Sequence, residues 1–197
     1  MSLLTIAFEG IPGAGKSTAI EGVSAHFRAQ EMAVHVIGHG GSLELKLKEL
    51  ILSQPIDMDP VERLFFYGCR LASKTHFAQS IAGSLENGIL LFDRFTTSLN
   101  VMGHHVDGLP RHHVAHFTRA AARNFHPDAL ILFDVDDEGH RERCGTLAPG
   151  LLQKYRRGFH KEFAEFDGPR LLIDSTARPP DECRDKVISF LAERVDL

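Results

Sequence analysis

Residues Gly10-Ile11-Pro12-Gly13-Ala14-Gly15-Lys16-Ser17 bring glycines, a lysine and a hydroxyl together directly after the apolar run Leu3-Leu4-Thr5-Ile6-Ala7-Phe8. Such a group can hold a chain of phosphates. Phosphate oxygens need many donors and little steric bulk, and a glycine-rich loop turns its backbone N–H groups onto them. Lys16 adds a charge that reaches the terminal phosphates, and the Ser17 hydroxyl can ligate Mg²⁺. A helix opening at about Ser17 points the positive end of its dipole at the same anion. The pattern GxxxxGK[ST], with a strand before it and a helix after it, predicts that the chain binds a nucleoside triphosphate.

Two further groups can do chemistry. On a helical run, Phe66 and Arg70 stand four apart and so share a face, where a ring and a guanidinium can stack on a planar base and bond its edge. At the end of the apolar run Leu90-Leu91-Phe92, Asp93 can hold Mg²⁺ through water or accept a proton, and Arg94 can clamp a phosphate. The histidines are less telling. His112 and His116 have a chelating spacing, but no HExxH pattern or neighbouring carboxylate accompanies them, and a solvated helix face is the expectation.

These groups need a frame. Strands are expected at 3–8, 33–37, 89–93, 129–134 and 170–174, with helices at about 16–30, 43–53, 60–87, 110–123, 151–166 and 180–195. Strands apolar on both faces and separated by helices imply an α/β fold with a parallel sheet of about five strands covered on both sides, as in the three-layer P-loop NTPase fold. Ligands in such a sheet bind beyond the carboxyl ends of the strands, where three of these runs end in Asp93, Asp134 and Asp174. No linker or repeat divides the 197 residues, so a single domain is expected.

Composition narrows the class further. Hydrophobic residues make 43% and charged residues 24% of the chain, and the net charge is -4. That balance argues against binding a nucleic acid polymer through an excess of Lys and Arg. Cys69, Cys144 and Cys183 form no CxxC pair. No signal-like start and no membrane-length apolar stretch stand out, so a cytoplasmic enzyme is the expectation.

With these residues in view, the chain resembles the thymidylate kinase family, within the P-loop nucleoside and nucleotide kinases. The resemblance runs through Phe8-Glu9-Gly10-Ile11 to Ser17-Thr18, the helix from Leu64 to Arg70, Phe92-Asp93-Arg94-Phe95 with Ser98, and Gly108-Leu109-Pro110. It continues through Phe133-Asp134-Val135-Asp136, Arg141-Glu142-Arg143-Cys144-Gly145 and Ile173-Asp174-Ser175. It implies one kinase domain over 1–197 with a short lid at about 139–152, ATP as donor, Mg²⁺, a pyrimidine nucleotide acceptor and a homodimer paired through helices. The implied ATP set is Gly10, Ile11, Pro12, Gly13, Ala14, Gly15, Lys16, Ser17 and Thr18, with Arg178 in the loop beside the adenine. The implied acceptor set is Glu9, His39, Phe66, Arg70, Arg94 and Ser98, with Phe66 on the base and Arg70 at its edge. Lys16, Asp93, Arg94 and the lid's Arg141 or Arg143 are the expected catalytic groups, and Ser17 and Asp93 the metal site.

The chain also departs from the family. Pro12 replaces an acidic residue that faces the sugar, and Ile37-Gly38-His39-Gly40-Gly41-Ser42 stands where the family reads Arg-Glu-Pro-Gly-Gly-Thr. Met102 and Gly103 replace an aromatic and a glutamine, and Ala148-Pro149-Gly150 replaces an acidic–basic pair in the lid. The expectation is therefore a kinase that makes thymidine diphosphate from thymidylate, with thymidylate held less tightly than is usual. Either an arginine restored at Ile37 or a protonated His39 would supply the missing phosphate contact. A same-fold kinase of a nucleoside, a modified nucleotide or another small acceptor stays open, with Asp93 or Glu9 as base. A non-kinase nucleotide switch is disfavoured by the Phe66–Arg70 helix and the lid arginines.

Overall fold

In a computed structural model, residues 3–38, 40–53, 57–83, 85, 87–145 and 147–194 are described, and His39 lies outside them. Five strands form one all-parallel sheet: β1 (Leu3–Gly10), β2 (Val34–Ile37), β3 (Gly88–Asp93), β4 (Ala129–Asp134) and β5 (Arg170–Asp174), in the order β2-β3-β1-β4-β5. β1 therefore runs down the centre, and the loop that leaves it opens between β3 and β4, where the topology makes a crevice.

Alternation along the strands builds the layers. From β1 and β3, Ile6, Phe8, Ile89 and Leu91 face one core with Val23 and Phe27 of α1 (Lys16–Ala29) and Val187 and Leu191 of α8 (Pro180–Ala192). Ala7, Leu90 and Phe92 face the other, with Leu64, Leu71 and Ala78 of α3 (Pro60–Ala82) and Val114 of α5 (Arg111–Ala121). Two buried faces explain why these strands read as continuous apolar runs.

Helix ends follow local chemistry. Asp59 caps α3 by accepting from Val61 N at 2.7 Å and Glu62 N at 2.9 Å, while Glu62 accepts from Asp59 N at 2.9 Å, and Pro60 opens the helix. α3 stops at Ala82, short of the expected 87, with Gly83 at its end. α2 (Gly41–Ser53) packs across α3, and α7 (Pro149–Glu165) lies on the sheet against β4 and β1. Three segments are absent from the sequence expectation: α4 (Thr96–Asn100), a π-helical turn at Val101–Val106, and α6 (Asp137–Arg143). They are too short to carry a periodic signal, and all three border the site.

Candidate functional site

Two cavities lie side by side at the carboxyl edge of the sheet and share Pro12 and Arg94 in their walls. The first, about 490 Å³, is lined by Pro12 to Ala19 along the glycine-rich loop and by Asp93, Arg94, Arg143, Ser175 and Arg178. Gly13 (φ 76°) and Gly15 (φ 91°) take the left-handed backbone that the loop requires. Gly10 and Ile11 are not in that wall: Ile11 is core, and a Cβ on Gly10 would sit 1.9 Å from Phe133 O. Their carbonyls instead accept from Lys16 Nζ at 3.0 and 2.7 Å. Burial, helped by the Arg94 charge and opposed by Asp93, lowers the Lys16 pKa to about 7.

Asp93 and Ser17 meet in this cavity. Ser17 Oγ donates to Asp93 Oδ2 at 3.2 Å, so a hydroxyl and a carboxylate converge beside the loop amides. Hard oxygen donors of this kind, with room left for water, suit Mg²⁺.

The lid arginines part company. Arg143 lines the first cavity and donates to Ser175 Oγ at 3.0 Å and Ser175 O at 2.8 Å, at the end formed by the loop after β5. Arg141 lines neither cavity, and its exposed side chain pairs with Glu138 at 3.3 Å. α6 is latched instead through His140, a buried ring whose Nδ1 lies 3.0 Å from Pro12 O. Arg178 lines the first cavity and pairs with Glu182.

The second cavity, about 640 Å³, is walled by a stripe of α3, namely Arg63, Tyr67, Arg70 and Lys74, facing Ser98, Met102, Leu147 and Tyr155. The ring in this wall is Tyr67, not the expected Phe66, which is half-buried and packs edge-on against Tyr67 with ring centroids 5.5 Å apart. The Arg70 guanidinium lies 5.4 Å from the centre of the Tyr67 ring and donates through Nε to the buried Glu44 of α2 at 2.9 Å. Arg94 closes β3 at φ 65° and reaches Ser98 Oγ at 3.3 Å.

Glu9 does not face either cavity. It is fully buried and accepts from Phe95 N at 2.7 Å, Ser98 N at 3.2 Å and Ser98 Oγ, which secures the first turn of α4. Burial raises its pKa, against the Ser98 hydrogen bond and the Arg94 charge. With three hydrogen bonds given to that turn and no place in either cavity wall, Glu9 is set as a strut. Ile37 is also fully buried, in the core beneath α3, so an arginine placed there would enter the core and miss the cavity.

Lys74 went unnoticed in the sequence because a lysine on a long helix reads as a solvated face. It is 8% exposed and donates to the carbonyls of Asp93 at 2.8 Å and Arg94 at 3.5 Å. Burial lowers its pKa to about 8, against the Asp93 and Glu44 charges. Among the described residues, no cluster of three or more His, Cys, Asp and Glu side chains could hold a metal, and no helix is long and apolar enough to cross a membrane.

A central strand, a phosphate loop and an adjoining basic cavity define a nucleotide-binding kinase of the P-loop class. The family model for thymidylate kinase matches residues 8–187. The chain is 30% identical over 178 residues to the thymidylate kinase of Nitratidesulfovibrio vulgaris (strain DP4), covering 88% of this chain and 75% of that one. It is 34% identical over 149 residues to that of Burkholderia ambifaria (strain MC40-6), covering 72% and 70%. The crystal structure of thymidylate kinase from Ehrlichia chaffeensis superimposes with a TM-score of 0.77 at 17% identity, over 98% of this chain and 99% of that one. The chain belongs to the thymidylate kinase family.

Proposed function

We propose that the protein transfers the γ-phosphoryl group of ATP to thymidylate, giving ADP and thymidine diphosphate. The observation that carries this reading is the pair of cavities meeting at Arg94, with the phosphate loop on one side and a ring-and-cation wall on the other. An acceptor phosphate oxygen would attack the γ-phosphorus while the bond to the β,γ-bridging oxygen breaks. The attacking oxygen of the acceptor is already ionised near neutral pH, so positioning and charge carry the catalysis. Lys16 and the amides of Gly13 to Ser17 hold the donor phosphates, Arg94 braces the moving group between the cavities, and Tyr67 and Arg70 receive the base. Arg143 and Arg178 border the nucleoside end of ATP. Mg²⁺, held by Ser17 and through water by Asp93, would supply charge neutralisation on the phosphates when bound.

A nucleoside acceptor is less well supported, because its hydroxyl needs a base: Glu9 is sealed behind Phe95 and Ser98, and Asp93, the other candidate, is engaged with Ser17 Oγ at the phosphate loop. The whole chain, 1–197, is read as one kinase domain, with about 139–152 as its lid. A homodimer through α3 fits the exposed Val61 and Phe65 on the outer face of that helix. A cytoplasmic location goes with the same reading. The test is ADP release with ATP and Mg²⁺ against a panel of nucleosides and nucleoside monophosphates. Thymidylate should give the highest kcat/KM, and a nucleoside that outpaced every monophosphate would overturn the assignment.

A further inference from the structure

Lys74 is a buried charge without a carboxylate partner. Its hydrogen bonds run to two carbonyls, and it belongs to none of the ion pairs among the described residues. Arg94 likewise forms no ion pair there, whereas Arg63 pairs with Asp107 and Arg70 with Glu44 in the same wall. The second cavity thus holds two cations engaged in ion pairs and two that are not. A buried, unpaired ammonium is costly, and such a cost is recovered when an anion binds beside it. Two cations held outside any ion pair match the two charges of a phosphate monoester.

Position supports the same conclusion. The Lys74 ammonium has three donors, of which one makes a good bond to Asp93 O and a second only a long one to Arg94 O, so it can donate into the cavity it lines. Gly40, in the stretch of sequence where the expected phosphate-binding arginine is missing, packs straight onto α3 at this residue. A Cβ on Gly40 would come within 2.2 Å of Lys74 N, and Ser73 Oγ donates to Gly40 O at 2.6 Å.

We propose that Lys74, together with Arg94, seats the phosphate of the acceptor, and that this lysine substitutes for the arginine that the 37–42 sequence lacks. The inference rests on the reading of the second cavity as the acceptor site. It makes Lys74 a residue that separates nucleoside monophosphates from nucleosides, while leaving base preference to Tyr67 and Arg70.

The experiment is calorimetric titration, without ATP, of the wild-type protein, Lys74→Met, Lys74→Gln and Lys74→Arg with a panel of nucleosides and their 5′-monophosphates, thermal unfolding being recorded for each. In the wild type the preferred monophosphate should bind more tightly than its nucleoside. Loss of one charge-assisted contact should cut that advantage by about tenfold to about a hundredfold in Lys74→Met and Lys74→Gln, with nucleoside affinity unchanged and Lys74→Arg near wild type. Gln keeps a donor for the Asp93 and Arg94 carbonyls, so it remains informative if Met unfolds the helix. A preference for another monophosphate with the same lysine dependence would sink the thymidylate reading and support the seat. Equal weakening of nucleoside and monophosphate, or no advantage for any monophosphate, would overturn the seat itself.

Discussion

Replacing Glu9 by alanine separates a strut from a catalytic base. The carboxylate accepts from the backbone N–H groups of Phe95 and Ser98 and from the Ser98 hydroxyl. In Glu9→Ala the hydroxyl can rotate to a new partner, but the two amides stay fixed at the start of α4. An orphaned buried donor costs about 1–3 kcal/mol. Two such donors would cost more, yet the mutation also abolishes the burial penalty that raises the Glu9 pKa. The net expectation is a loss of about 3 kcal/mol, or about 6–12 °C in Tm for a chain of this size. Because Arg94 and Ser98 hang from the same turn and line the acceptor cavity, acceptor KM should rise while ATP KM stays near its wild-type value. Thermal unfolding and steady-state kinetics read both effects. A variant with wild-type Tm and collapsed kcat would refute the strut and return Glu9 to the role of base.

Three further outcomes are expected. Lys16→Ala should abolish transfer and leave the fold in place, and ATP binding to the wild type at about pH 8 should take up a proton, because the folded pKa of about 7 lies below that pH and phosphates raise it. By linkage, the stability cost of burying this lysine is complete below about pH 7 and fades as pH rises toward its ordinary 10.5. Calorimetry in buffers of different ionisation heat tests the uptake, and a buffer-independent heat would rule it out. Tyr67→Ala should raise acceptor KM by about tenfold to about a hundredfold with ATP KM unmoved, while Phe66→Ala changes acceptor KM little; the reverse order would restore Phe66 to the base. Gly40→Ala drives a Cβ into the backbone of Ser73 and Lys74, so it should cost about 1–3 kcal/mol in denaturant unfolding and raise acceptor KM. Wild-type stability would mean that the turn is not packed as described.

What the amino-acid order settled alone was local. The phosphate loop was legible because its glycines, lysine and serine act within one turn of chain, and the five strands because each is a short apolar run between helical periods. The P-loop class follows from those two signals, and the family from short motifs beyond them, among them Phe92-Asp93-Arg94-Phe95 and the stretch from Leu64 to Arg70. Tertiary structure decided which side chains look into the acceptor cavity. Adjacent helical residues point about 100° apart, so the rotation of α3 about its axis decides between Phe66 and Tyr67. That rotation is set by distant parts of the chain: Gly68 admits Phe117 of α5, whose ring would come within 2.1 Å of a Cβ there, and Gly40 seats the turn against Lys74. The same holds for Glu9, which reads as an active-site carboxylate until the turn at Phe95–Ser98 closes over it. Charge and type were written in the sequence. Facing was not, because it depends on the close approach of segments remote in the chain.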